Sequence, residues 1–282
     1  MPLVPMKEVI YKAYRENYAI PGFNFQTYED ACGIVKGAAE LNSPVVLMTA
    51  SKCLDHLGIE MASQVMRIIA SRYDIPVVAH LDHATTLDLV FQALKYGYTS
   101  VMYDGSLLPV EENIKNTKIV VEVARSFGAT VEAEIGRVGK GEDGEDHSEI
   151  LTTPEMAKHF LEETGVDALA VAVGTCHGMQ KQAANLRYDL VESISKAVDV
   201  PLVLHGSSGV KDEDLKRLAT TSSFSKVNIG TALKTVYTKR IREILAEEPN
   251  LKTQVPLTEK ASEAVVEKVK EKIGYLGSAG KA

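Results

Sequence analysis

The 282-residue chain is 45% apolar and 24% charged, a balance that excludes a disordered or fibrous protein. Its formal charge of −7 and pI of about 5.6 argue against nucleic acid or an anionic membrane as the main partner, because both need a basic footprint. Cys32, Cys53 and Cys176 are too few and too scattered for a disulfide framework. No stretch reaches the roughly 18 consecutive apolar residues of a membrane span and the first residues carry no apolar leader, so a cytoplasmic protein is expected.

Short β-branched apolar runs alternate with longer runs of helical period, the signature of βα units and a parallel sheet. In chain order, strands are predicted at 19–25, 45–50, 77–81, 100–103, 130–135, 168–173, 202–204 and 226–229. Helical patterns occupy 28–41, 59–73, 86–96, 110–127, 154–164, 188–198, 211–219 and 231–247, with an extra charged amphipathic helix over 258–275. Thr27, Thr85, Pro109 and the pair Thr153-Pro154 stand where helices should start. Eight strands, each followed by a helix, predict a (β/α)8 TIM barrel with an extra C-terminal helix, formed as a single domain over 1–282. A doubly wound open sheet is the alternative, but it would usually show GxGxxG after the first strand, and Gly22-Phe23-Asn24-Phe25 is no such turn.

Barrel enzymes carry their chemistry at the carboxyl ends of the strands, and conspicuous polar residues are expected there. They are Asn24, the run His80-Leu81-Asp82-His83, Asp104, Glu134, His177-Gly178, His205-Gly206 and Asn228. Any one of these histidines, or His147 in a long loop, reads more simply as a structural histidine. Together, His83, His177 and His205 come from three strands and can converge on one ion. Three imidazoles plus an open position are the ligand set of a catalytic zinc ion. Cys176 competes as a soft ligand, but on an extended segment it faces away from His177 and is expected to act as packing.

The segments His205-Gly206-Ser207-Ser208-Gly209 and Asn228-Ile229-Gly230-Thr231 follow strands seven and eight, the usual phosphate site of a barrel. Glycines let backbone N–H groups approach an anion, Ser208 and Thr231 add hydroxyls, and a helix N-terminus adds partial positive charge. The plainer reading is a pair of ordinary turns. The segment 136–150, with four glycines and several acids, reads either as a solvated connector or as a lid over the barrel mouth.

With these elements in place, the chain resembles the class II fructose-bisphosphate/tagatose-bisphosphate aldolase family essentially from end to end. The resemblance is carried by Gly22-Phe23-Asn24, Ala79-His80-Leu81-Asp82-His83, Glu132-Ala133-Glu134-Ile135-Gly136, Gly174-Thr175-Cys176-His177-Gly178, Leu204-His205-Gly206-Ser207-Ser208-Gly209 and Lys226-Val227-Asn228-Ile229-Gly230-Thr231. It implies a lyase of carbohydrate metabolism that splits fructose or tagatose 1,6-bisphosphate into dihydroxyacetone phosphate and glyceraldehyde 3-phosphate, through an enediolate whose charge zinc offsets.

The resemblance assigns His83, His177 and His205 to the zinc ion, with Glu134 and Asp104 as neighbouring or alternative metal groups. Asp82 becomes the acid/base at the C4 hydroxyl and Glu142 the acid that exchanges the C3 proton. Asn24, Gly178, Gly206, Ser207, Ser208, Asn228, Ile229, Gly230 and Thr231 bind substrate. A monovalent cation (Na+ or K+) beside the phosphate and a homodimer or homotetramer are implied as well. The chemistry agrees, because a Lewis acid stabilises the developing carbanion and a carboxylate takes the hydroxyl proton. A Schiff-base lysine is not expected, since Lys226 lies at the wrong end of its strand.

Two departures bear on the sugar. Gly230 stands where the fructose-type subgroup usually carries Asp, and residues 179–186 lack the aromatic and Pro usual after His-Gly. Another ketose phosphate, such as an inositol-catabolism or sulfosugar intermediate, is therefore the alternative substrate. A metal-dependent hydrolase on the same barrel is the mechanistic alternative, and a non-catalytic sugar-phosphate sensor would be expected to lack Asp82 or a histidine ligand.

Overall fold

A computed structural model describes residues 3–140, 149–179 and 181–282. Eight parallel strands close the predicted barrel. They are β1 (Ile20–Asn24), β2 (Val45–Thr49), β3 (Val77–Ala84), β4 (Ser100–Tyr103), β5 (Thr130–Ile135), β6 (Ala168–Val171), β7 (Leu202–Leu204) and β8 (Phe224–Ile229). Each pairs with its neighbours in sequence, and β1 closes on β8 with Gly22 beside Asn228.

The helices are α1 (Met6–Glu16), α2 (Tyr28–Glu40), α3 (Ser51–Leu57), α4 (Ile59–Ala70), α5 (Leu87–Lys95), α6 (Val110–Ser126), α7 (Pro154–Thr164), α8 (Tyr188–Ala197), α9 (Asp212–Thr221), α10 (Thr231–Glu247) and α11 (Val255–Leu276). Among the described residues no helix is long and apolar enough to cross a membrane. Thr27 starts α2 with a full capping box shared with Asp30, and Thr153 caps α7. The cap of α5 is Thr86 rather than Thr85, its hydroxyl accepting from the Leu89 N–H.

Two helices have no counterpart among the sequence-predicted elements. One, α1, carries Met6, Val9, Ile10 and Ala13 on one face, all buried, and these pack against Ile20, Val46, Val78, Met102 and Ala170. The helix therefore plugs the amino-terminal end of the barrel, each of its large side chains contributing about 1.5–3 kcal/mol through burial. The other, α3, is a seven-residue helix after β2.

Along β3 the period of two is plain. Val77, Ala79 and Leu81 belong to the cluster shared with the outer helices, whereas Val78 belongs to the interior cluster. The same alternation aims Glu132 and Glu134 of β5, and Lys226 and Asn228 of β8, into the barrel. That interior is hydrocarbon near α1 and becomes polar toward the carboxyl ends of the strands.

Candidate active site

Strict alternation would send Asp82 and His83 to opposite faces of β3. A bulge resolves the conflict. The β3–β4 register shifts between Leu81 and Ala84, and His83 takes φ +53°, a left-handed conformation uncommon for a side chain of this size. Both residues thereby face the mouth, and β3 runs to Ala84 instead of ending at Leu81. Such strain is held in place by its surroundings and concentrates at working sites.

His177 reaches the mouth by another route. Strand β6 stops at Val171, so His177 is not at a strand end as the sequence suggested. Cys176 and His177 instead form a two-residue parallel pairing with Gly139 and Lys140. Cys176 is half-buried beside Gly139, so it packs less completely than expected. His205 follows β7 directly and is fully buried.

The three imidazoles meet. Ring centroids are 4.6 Å apart for His83 and His205, 5.0 Å for His83 and His177, and 5.8 Å for His177 and His205. One nitrogen from each lies within 4.8 Å of the others. His83 Nδ1 is 2.7 Å from Asp104 Oδ2, and His205 Nε2 is 2.9 Å from Glu132 Oε1. A carboxylate behind an imidazole fixes its tautomer and turns its other nitrogen outward. His83 Nε2 and His205 Nδ1 are thus aimed at each other, 2.8 Å apart, close enough to share a proton or, opened slightly, to face a metal ion. In a tetrahedral zinc site neighbouring ligand nitrogens stand about 3.3 Å apart, so the residues fit a divalent ion after a small outward shift.

Glu134 supports the same reading. Its Oε1 accepts from the Val138 N–H at 3.1 Å, while Oε2 is buried without a partner among the described residues. Together with His83 and Asp104 it makes a second group with the spacing of metal ligands. Burial and the nearby Asp104 push the Glu134 carboxyl up to about 8. Burial opposes charge on His83, but Asp82, Asp104 and Glu134 outweigh it and hold the imidazole at about 10, so this pocket favours positive charge.

Asp82 is 4% exposed and clamped by two amides. Asn24 Nδ2 donates to Oδ2 at 2.7 Å, and Asn228 Nδ2 donates to Oδ1 at 3.1 Å. Burial resists its charge, yet His83, His205 and Lys226 hold the carboxyl at about 2. The other oxygen-bearing end of Asn228, Oδ1, is buried and unpartnered among the described residues, an acceptor available to a hydroxyl.

The two glycine segments form one cradle. The Ser207 hydroxyl donates to the Asn228 carbonyl, and Ser208 Oγ accepts from the Ala232 N–H in the first turn of α10 at 3.3 Å. Gly206 sits at φ +65°, and a Cβ there would meet the Cys176 backbone at 2.7–2.9 Å, so only glycine lets the His205 loop lie against the His177 loop. Gly178 also has positive φ. Ile229 is buried as the last residue of β8, Gly230 is the N-cap of α10 and Thr231 its first residue. Gly230 borders Asn24, whose Oδ1 lies 3.0 Å from where a Cβ would be. Glu142, like His147, lies outside the described residues.

Two participants have no role in the sequence reading. Glu132 is fully buried and joins His205 to Lys226, whose Nζ lies 2.8 Å from Oε2. The signal was available: two glutamates at a spacing of two in an otherwise apolar strand both point inward. Lys226 is not at the end of its strand, since β8 begins at Phe224 and the ammonium is enclosed by the barrel. His80, also fully buried, is held by Ser100 Oγ at 2.8 Å from its Nδ1 and lies behind the mouth.

A closed barrel with converging imidazoles and a clamped carboxylate at its mouth has the frame of a metal-dependent enzyme. The family profile described as fructose-bisphosphate aldolase class II matches residues 4–281, and the chain belongs to that family and is an aldolase. It is 35% identical over 285 residues to the sulfofructosephosphate aldolase of Alkalicoccus urumqiensis, covering 100% of this chain and 99% of the relative. The crystal structure of the YdjI aldolase from Escherichia coli K12 superposes with a TM-score of 0.88 at 32% identity, covering 99% of both chains. Fructose-bisphosphate aldolase from Campylobacter jejuni has a TM-score of 0.86 at 20% identity over 100% of this chain and 97% of its own, a likeness of fold.

Proposed function

We propose that this aldolase, acting as one barrel domain over the whole chain, reversibly cleaves a ketose phosphate to dihydroxyacetone phosphate and an aldehyde, with zinc held by His83, His177 and His205. The observation that carries the reading is the Asp82 carboxylate, clamped between Asn24 and Asn228 beside the three imidazoles. Zinc bound there supplies Lewis acidity, which offsets the charge that develops on the ketone oxygen as C3–C4 breaks.

The remaining chemistry belongs to the chain. Asp82 takes the proton of the C4 hydroxyl, and its two amide donors keep both oxygens in place for that transfer. Asn228 Oδ1 is an acceptor for a substrate hydroxyl. Backbone N–H groups around Gly178, Gly206–Ser208 and Gly230-Thr231, with the N-terminus of α10, receive the phosphate of the dihydroxyacetone half. A monovalent cation beside that phosphate and a homodimer or homotetramer complete the proposal, as does Glu142 in proton exchange at C3.

The sugar is either a ketose 1,6-bisphosphate or a ketose 1-phosphate with another distal anion. The whole-length similarity to a sulfofructosephosphate aldolase favours including a 6-sulfonate. Dihydroxyacetone phosphate release from fructose 1,6-bisphosphate, tagatose 1,6-bisphosphate and 6-sulfofructose 1-phosphate tests the proposal. Turnover of at least one is expected, and the ratio of kcat/KM among them assigns the sugar. No release from any ketose phosphate, with zinc present, would overturn the reading.

A further inference from the structure

Deep in the barrel, Lys226 of β8 faces Glu132 of β5 across strands β6 and β7. Both side chains are fully buried, as are His205 and His80 beside them. Nζ of Lys226 stands 2.8 Å from Glu132 Oε2, Glu132 Oε1 is 2.9 Å from His205 Nε2, and His205 Nδ1 is 2.8 Å from His83 Nε2. One continuous chain of contacts therefore joins an ammonium within the barrel to the nitrogens at its mouth.

We infer that Lys226 is a positioning residue for the metal centre, its ammonium anchoring Glu132 so that Glu132 holds the His205 imidazole with Nδ1 turned to the ion. The inference rests on the proposed metal site. Its logic is one of donors and acceptors. An ammonium has only protons to give, and the ion-paired carboxylate has only lone pairs. With Oε2 tied to Lys226, Oε1 is presented to His205 and receives its Nε2–H, which leaves Nδ1 bare. A ligand whose far nitrogen is gripped in this way keeps both ring orientation and tautomer.

A purely structural role explains the pair poorly. Taking an ammonium and a carboxylate out of water is expensive, and well-packed hydrocarbon of similar volume is often as stable or more so. Hydrocarbon fits elsewhere in this interior, where Val78, Met48, Met102, Ala170 and Val203 pack together. The ion pair stands where the hydrocarbon interior gives way to the polar mouth, in contact with a candidate ligand.

The test is zinc affinity, read by competition with a chromogenic chelator, together with the visible absorption of the cobalt-substituted protein. Lys226→Met keeps the length of the side chain and removes its charge; zinc affinity is expected to fall about 10- to 100-fold, with an altered cobalt spectrum. Lys226→Met combined with Glu132→Gln leaves no lone buried charge, keeps the measurement accessible if the single variant fails to fold, and is expected to bind zinc at least 10-fold more weakly than the parent. Val78→Ala, a core truncation in the same interior, should lower Tm and leave zinc affinity at the parental value. Parental affinity and spectrum in either Lys226 variant would overturn the inference, as would an equal loss of affinity in Val78→Ala. A parent protein that takes up no zinc would overturn the metal reading itself.

Discussion

Asn24 Nδ2 lies 2.7 Å from Asp82 Oδ2, so the end of β1 grips the carboxylate at the end of β3 across the mouth of the barrel. With Asn228 on the other oxygen, the acid/base has little freedom to turn. Asp82→Ala should keep zinc content near that of the parent while kcat falls about 100-fold or more. Asn24→Ala leaves the carboxylate in place with one anchor fewer and should lower kcat by a smaller factor, about 10-fold. His205→Ala should lose metal. Zinc content by atomic absorption and steady-state rates separate these outcomes, and loss of zinc from Asp82→Ala with unchanged activity per metal would reverse the assignment.

Removal of metal should abolish turnover, and zinc or cobalt should restore it. Borohydride added with substrate should leave activity unchanged, because Lys226 is buried against Glu132 and no imine is required. A lysine adduct trapped and located by mass spectrometry would rule this mechanism out.

Gly206→Ala should damage both the phosphate cradle and His205. Its φ of +65° disfavours a side chain, and the added Cβ would press on the Cys176 backbone. The expected loss is about 1–3 kcal/mol of stability, with KM for the phosphorylated substrate raised more than Tm alone explains. A thermal melt and a rate curve suffice; unchanged values of both would show that the two loops need no close approach.

Glu142→Ala should slow exchange of the C3 proton of dihydroxyacetone phosphate with deuterium far more than it weakens binding of that compound. Glu145→Ala, three residues along, should do much less. Equal effects in the two variants would leave residues 136–150 a solvated connector.

Much of the architecture was legible in the chain. The runs at 100–103, 130–135 and 202–204 coincide with β4, β5 and β7, because apolar β-branched clusters between turn residues report local conformation directly. His83, His205, Asp82 and the two glycine segments could be located as well, since barrel chemistry gathers at strand ends. The helix α1 was legible in principle from Met6, Val9, Ile10 and Ala13 at helical spacing, yet its use as a plug depends on the barrel it fills.

Tertiary structure alone decided three things. Asp82 and His83 share one face only because β3 slips by one residue against β4, a matter of register between strands. His177 enters the mouth from a short pairing with Gly139 and Lys140 rather than from the end of β6. Lys226 and Glu132, 94 residues apart, meet because eight strands close on themselves and bring β5 opposite β8. Sequence periodicity carries the direction of each side chain relative to its own strand; which inward side chains face one another is set by closure, tilt and stagger of the whole barrel.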